Sequence, residues 1–70
     1  MVEKGKRYKV LECAEGLFKA GEIVIAVTSG IVPFCVREKD YDNSKLFSYE
    51  YESNQVGAMC DFELEEVHNA

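Results

Sequence analysis

An all-β fold, a small antiparallel barrel of five strands, is what the sequence predicts, and three observations carry that expectation. The run Gly21-Glu22-Ile23-Val24-Ile25-Ala26-Val27-Thr28 holds five consecutive apolar residues, β-branched at 23, 24, 25 and 27, opened by a turn glycine and followed by Ser29-Gly30. β-branched side chains with glycine punctuation on both sides favour a strand over a short core helix. Residues 46–52 place Phe47, Tyr49 and Tyr51 on one side and Ser48, Glu50 and Glu52 on the other, the period of a strand with one face in the core. Finally, five Gly and one Pro in 70 residues fit short turns between strands. A strand apolar on both faces needs cover on both, and a short chain provides it by curling one small sheet on itself around that strand. A chain of this length forms one domain, hides only roughly 60% of its unfolded surface and has marginal stability.

The elements follow in chain order. Residues 1–5 read as a tail. From Lys6 to about Cys13 a strand turns Tyr8 and Val10 inward and Arg7 and Lys9 outward, with Leu11 under the following loop. Residues 14–21 form a loop folded back on the barrel, with Leu17 and Phe18 as its anchors. The central strand then turns at Ser29-Gly30 into an antiparallel partner over 31–37. Its regular part begins at Phe34, because Pro33 has no N–H to give a ladder and belongs at the strand's start. A polar connection over 38–45 leads to the alternating strand 46–52, then a turn at 53–55 and a link over 56–60 with room for one 3₁₀ turn. The closing strand sets Phe62 and Leu64 against Asp61, Glu63 and Glu65, whose charges discourage edge pairing, and 68–70 form a second tail. The barrel therefore spans 6–67, and the expected core includes Tyr8, Val10, Ile25, Val27, Phe34, Val36, Phe47, Tyr49 and Leu64.

Composition bounds the chemistry. No apolar run approaches the length of a spanning helix, and early Glu3, Lys4, Lys6, Arg7 and Lys9 are unlike a signal peptide, so a cytoplasmic protein with no membrane partner is expected. Cys13, Cys35 and Cys60 form no C-x-x-C pair, and the sole histidine is His68, which leaves zinc without ligands at usable spacing. All three thiols lie beside apolar or strand residues, where reduced cysteine behaves as a small hydrophobe; a reactive thiol is the alternative. The net charge of −5 is uneven: residues 1–39 hold seven Lys/Arg against five Glu, and residues 40–70 hold Lys45 alone against eight Asp/Glu. An acidic surface disfavours nucleic acid unless Lys4, Lys6, Arg7 and Lys9 gather into a patch. No catalytic constellation, phosphate loop, metal site or cofactor motif is present in the sequence, and the pairs Glu50/Glu52 and Glu63/Glu65 read as solvated surface charge.

The order strand, long folded loop, strand, hairpin, strand, polar loop, strand, short link, strand resembles the small SH3-like barrels. Gly5-Lys6-Arg7-Tyr8-Lys9-Val10, Leu17 through Val24, Val32-Pro33-Phe34-Cys35-Val36 and Met59 through Glu65 also resemble uncharacterised SH3-like proteins of bacteria and their phages. The resemblance implies the fold and says little of function. Eukaryotic signalling SH3 domains carry a paired tryptophan and an Ala-Leu-Tyr-Asp-Tyr segment. Here Trp is absent and Asp40-Tyr41-Asp42 is a fragmentary echo in another loop, so proline-peptide recognition is not expected. The RNA-binding versions present basic loops, whereas residues 38–45 set Asp40 and Asp42 against Lys39 and Lys45.

The expected function is that of a non-catalytic protein–protein interaction module of a phage or mobile element, with a basic protein as the favoured partner. A nucleic-acid-associated barrel using the Lys4–Lys9 cluster is the alternative. Barrels of this plan bind through loops at one end. The candidate contact residues are therefore Tyr41 with Asp40 and Asp42 in the polar loop, and Leu17 and Phe18 with Glu15 in the folded loop. The competing reading of Tyr41 is a solvated turn in which Asp42 and Asn43 only set the backbone.

Overall fold

A computed structural model of the chain describes residues 1–13 and 16–68; Glu15 of the folded loop and the last two residues of the expected C-terminal tail lie outside them. Five strands, β1 (Arg7–Val10), β2 (Ile23–Ala26), β3 (Phe34–Arg37), β4 (Val56–Ala58) and β5 (Leu64–Glu66), form one antiparallel sheet in the order β4-β3-β2-β1-β5. The fold is thus all-β, five-stranded and antiparallel, of the expected SH3-like class. The sheet curls without closing, so β4 and β5 are its edges. None of the helices among the described residues is long and apolar enough to cross a membrane.

The run of β-branched residues lies at the centre of the sheet, and both of its faces are covered. Val24 and Ala26 pack on one side with Tyr8, Val10, Phe18, Cys35, Met59 and Leu64. On the other side Val27 packs with Val36 and Tyr51, and Val56 leans against them. The hairpin forms as expected, with Ile25 opposite Val36 and Ala26 opposite Cys35. Pro33 is buried at the entrance to β3, where its carbonyl accepts the Met59 N–H at 2.9 Å.

Several expectations are corrected. Residues 46–52 are not a strand: Ser48–Glu50 is a 3₁₀ turn. The Glu50 carboxylate reaches back to accept the N–H groups of Leu46 at 2.7 Å and Phe47 at 2.8 Å, which folds the backbone where alternation called for extension. Only Tyr51 of the three aromatics turns inward; Phe47 is 53% exposed and Tyr49 79%. Phe34, also expected in the core, is 41% exposed. It begins β3 beside the edge strand, opposite the small Ala58, so no large neighbour covers it.

The strand beside β3 is instead Val56–Ala58, which the sequence suggested was a link. Gly57 suits this place because a Cβ there would stand 2.4 Å from Leu17 Cδ2 and 3.3 Å from Phe18 Cε2. The single 3₁₀ turn expected in that link lies further on, over Asp61–Glu63, and carries Phe62 out to solvent in place of the inward position that strand alternation gave it. Leu11 is exposed as well, where cover by the folded loop was expected.

Residues 1–5 are no free tail. Val2 is buried and pairs with Gly30, the Val2 N–H donating to the Gly30 carbonyl at 3.2 Å and the Gly30 N–H returning at 2.9 Å. Gly30 holds φ at +123°, a conformation that side-chain-bearing residues rarely adopt. Lys4 and Glu3 are tied in through Ser29 Oγ and Tyr8 Oη, each accepting a backbone N–H at 2.9 Å.

Candidate partner-binding surface

The folded loop is held by a charged clamp. Glu22, just before β2, accepts the Lys19 N–H at 2.9 Å with one oxygen and meets Arg37 Nε at 2.7 Å with the other. Arg37 donates onward to the Leu17 carbonyl, and its guanidinium lies 5.1 Å from the Phe18 ring centroid. The Lys19 N–H and then the Arg37 guanidinium hold the Glu22 carboxyl below its ordinary range. The clamp fixes Leu17 and Phe18 as the loop's anchors, in the packing role expected of them. Of these two candidate contact residues, Phe18 is 2% exposed in the core, and half-buried Leu17 lies against Gly57. The depression around Lys19, Glu22, Ile23, Arg37, Glu38 and Lys39 is lined largely by groups already used to hold the loop.

Tyr41 follows the 3₁₀ turn Glu38–Asp40 in extended conformation and is 36% exposed. Its neighbour Asp42 is a backbone-setting residue. Its Oδ1 accepts the Ser44 hydroxyl at 2.6 Å and the Ser44 N–H at 2.9 Å, and these bonds hold its carboxyl below the usual value. Tyr51 Oη grips the same residue from below, accepting the Asp42 N–H at 2.9 Å and donating to its carbonyl at 3.0 Å. Asp40 is half-buried and Asp42 exposed. The structure therefore keeps Asp40, Tyr41 and Asp42 together, but Asp42 is occupied in shaping the turn.

The most exposed aromatic surface lies a few residues on, at positions assigned to the core by alternation. Phe47 and Tyr49 stack with ring centroids 5.2 Å apart and planes 6° from parallel. Leu46 beside them is exposed, and Lys4 Nζ donates to its carbonyl at 3.2 Å. The pair stands on a backbone fixed by the two bonds to Glu50 and by Tyr51 beneath, so it is presented on a set frame. One signal in the sequence pointed here: three aromatics within five residues, Phe47 to Tyr51, exceed what one small core face can bury.

The Lys4–Lys9 cluster is dispersed into pairs. Lys6 meets Glu3 at 3.1 Å and Glu66 at 3.6 Å, Arg7 Nε meets Glu38 at 2.7 Å, and Lys9 faces Glu65 across β1 and β5 at 3.6 Å. The three cysteines form no disulfide. Cys35 is sealed in the core, where burial pushes its thiol up to about 12, while Cys13 and Cys60 line a shallow depression with Val32, Met59 and Phe62. No group of three or more His, Cys, Asp or Glu among the described residues is arranged to hold a metal ion.

Fold and surface together define a small all-β domain with several ion pairs among its own side chains and with two of its exposed aromatics stacked on one turn. No family model, curated protein or solved structure matches the chain.

Proposed function

We propose that this protein is a non-catalytic protein–protein interaction module that meets its partner through the turn at 46–50. The observation that carries this reading is the Phe47–Tyr49 stack, left in water on a hydrogen-bonded turn. Large aromatic area in water is costly unless something covers it, and rigid aromatic rings supply contact energy at low entropic cost. Tyr41, less exposed, lies in the same connection between β3 and β4, with Asp40 and Asp42 on either side. The paired cations of the N-terminal segment favour this reading over nucleic-acid binding, because phosphate contact would compete with carboxylates already in place.

The test is site-specific photo-crosslinking in the native host, with benzoylphenylalanine replacing Tyr49 in one variant and Phe62 in another. A discrete protein adduct from position 49, and none of the same mass from position 62, is expected. Absence of any adduct from position 49, or the same adducts from both positions, overturns the reading.

A further inference from the structure

We infer that the 46–50 surface takes an arginine-bearing basic segment of its partner, one guanidinium lying flat on the Phe47–Tyr49 stack. This rests on the interaction reading above and names the partner's chemistry. Three independent observations support it. First, residues 40–52 carry Asp40, Asp42, Glu50 and Glu52 against Lys45 alone. Among the described residues, the five carboxylates engaged in ion pairs, Glu3, Glu22, Glu38, Glu65 and Glu66, all lie outside that segment. The segment that carries the exposed aromatics thus has four carboxylates against one lysine, with Lys4 reaching the Leu46 carbonyl from outside it, and this balance draws a cationic partner while repelling an acidic one.

Second, the molecule places cations over two of its other aromatic rings. Arg37 covers Phe18, and Lys45 Nζ lies 4.9 Å from the centroid of Tyr51. Among the described residues no cation covers Phe47 or Tyr49. Third, the two rings are parallel, which leaves flat outer faces of the kind a planar guanidinium stacks on; an ammonium has no such plane. Lys45 is already spent on Tyr51, so the chain's own nearest cation in sequence does not fill the position.

The probe is a short arginine–glycine repeat peptide, titrated into the isotopically labelled protein and followed by amide chemical shifts. Two matched peptides carry citrulline or lysine in place of arginine. Expected are saturable shifts centred on residues 46–50, loss of about tenfold in affinity for the citrulline peptide, equivalent to about 1.4 kcal/mol, and intermediate affinity for the lysine peptide. Binding weakens as salt is raised. The double variant Phe47→Ser/Tyr49→Ser should lose the shifts. As a second variant, Asp40→Asn/Glu52→Gln alters charges whose side chains make no hydrogen bond or ion pair among the described residues, and it should weaken binding without moving the melting temperature.

Equal affinity for the arginine and citrulline peptides, shifts centred elsewhere, or no shifts at all overturn the inference. So does tighter binding of an oligothymidylate at the same residues. A protein cross-linked through position 49 whose contacting segment lacks arginine and lysine overturns it too, and leaves the interaction reading standing; failure of the cross-link itself removes that reading instead.

Discussion

Tyr51 does two jobs. Its ring fills the second core face against Val27 and Val36, and its hydroxyl holds the Asp42 backbone at both N–H and C=O. Tyr51→Phe keeps the ring and removes both bonds. At roughly 0.5–1.5 kcal/mol for each bond, it should destabilise the domain by about 1–3 kcal/mol in urea unfolding and speed amide exchange at Asp42, with little change elsewhere. Undiminished stability with unchanged exchange at Asp42 would show that the hydroxyl does not hold the loop. Cys35 makes a simpler case. With its thiol sealed in the core and its pKa pushed up to about 12 by burial, it should resist iodoacetamide in the native protein at mildly alkaline pH. In denaturant it should react like an ordinary cysteine, and mass mapping of the adducts separates the two states. Alkylation of Cys35 ahead of Cys13 under native conditions contradicts the packing described here.

Single elements in this fold are defined by side chains reaching back to the backbone. Glu22 and Arg37 hold the folded loop, Glu50 bends 46–50, and Glu63 Oε1 accepts the Cys60 N–H at 2.9 Å to start the turn that delivers Phe62 to solvent. For Glu22 this gives a pH dependence of defined sign. The Lys19 N–H and the Arg37 guanidinium hold its folded-state pKa below the ordinary 4.5. The ionised form therefore adds stability above that value, and the contribution is lost as pH falls through the lower folded value. Glu22→Gln should be less stable than the parent at neutral pH, and the gap should close as pH drops below about 4.5, read from melting temperatures across an acid series. A gap that is constant with pH would mean that the carboxylate's charge plays no part in the clamp. Strand alternation misplaced the exposed aromatics Phe47 and Tyr49 for the same reason. Alternation reports which side chains share a face only while the backbone stays extended, and one carboxylate capturing two N–H groups ends that condition.

At the scale of the whole molecule, stability is shared between two core faces on one five-stranded sheet, and the first residues help to close it. Val2 is buried and bridges Gly30 although nothing in residues 1–5 marks them as structured. Val2→Ser removes the apolar burial and keeps the chain. It should cost about 1.5–3 kcal/mol, and a domain of this size loses about 4–8 °C in melting temperature for each kcal/mol. A melting temperature within a degree of the parent would return residues 1–5 to the status of a tail.

The sequence alone determined the all-β class, the central strand with cover on both faces, its antiparallel pairing with β3 and the anchoring by Leu17 and Phe18, whereas the tight turn expected at 29–30 is a longer connection over 27–33 in which Gly30 bridges Val2. These rest on local causes: β-branched residues in an unbroken run, glycines at the turns, and a proline that can only begin a strand. Tertiary structure decided which segment lies beside β3. Residues 46–52 have the better strand pattern, yet the ladder forms with Val56–Ala58, where Gly57 leaves room for Leu17 and Phe18 against the sheet edge. It also decided where the aromatics go. The second core face accepts Tyr51 and leaves Phe47 and Tyr49 outside, so the residues that looked most like core became the surface most in need of a partner. Burial depends on which partner the fold brings opposite a residue, and a residue's own chemistry does not reveal that partner.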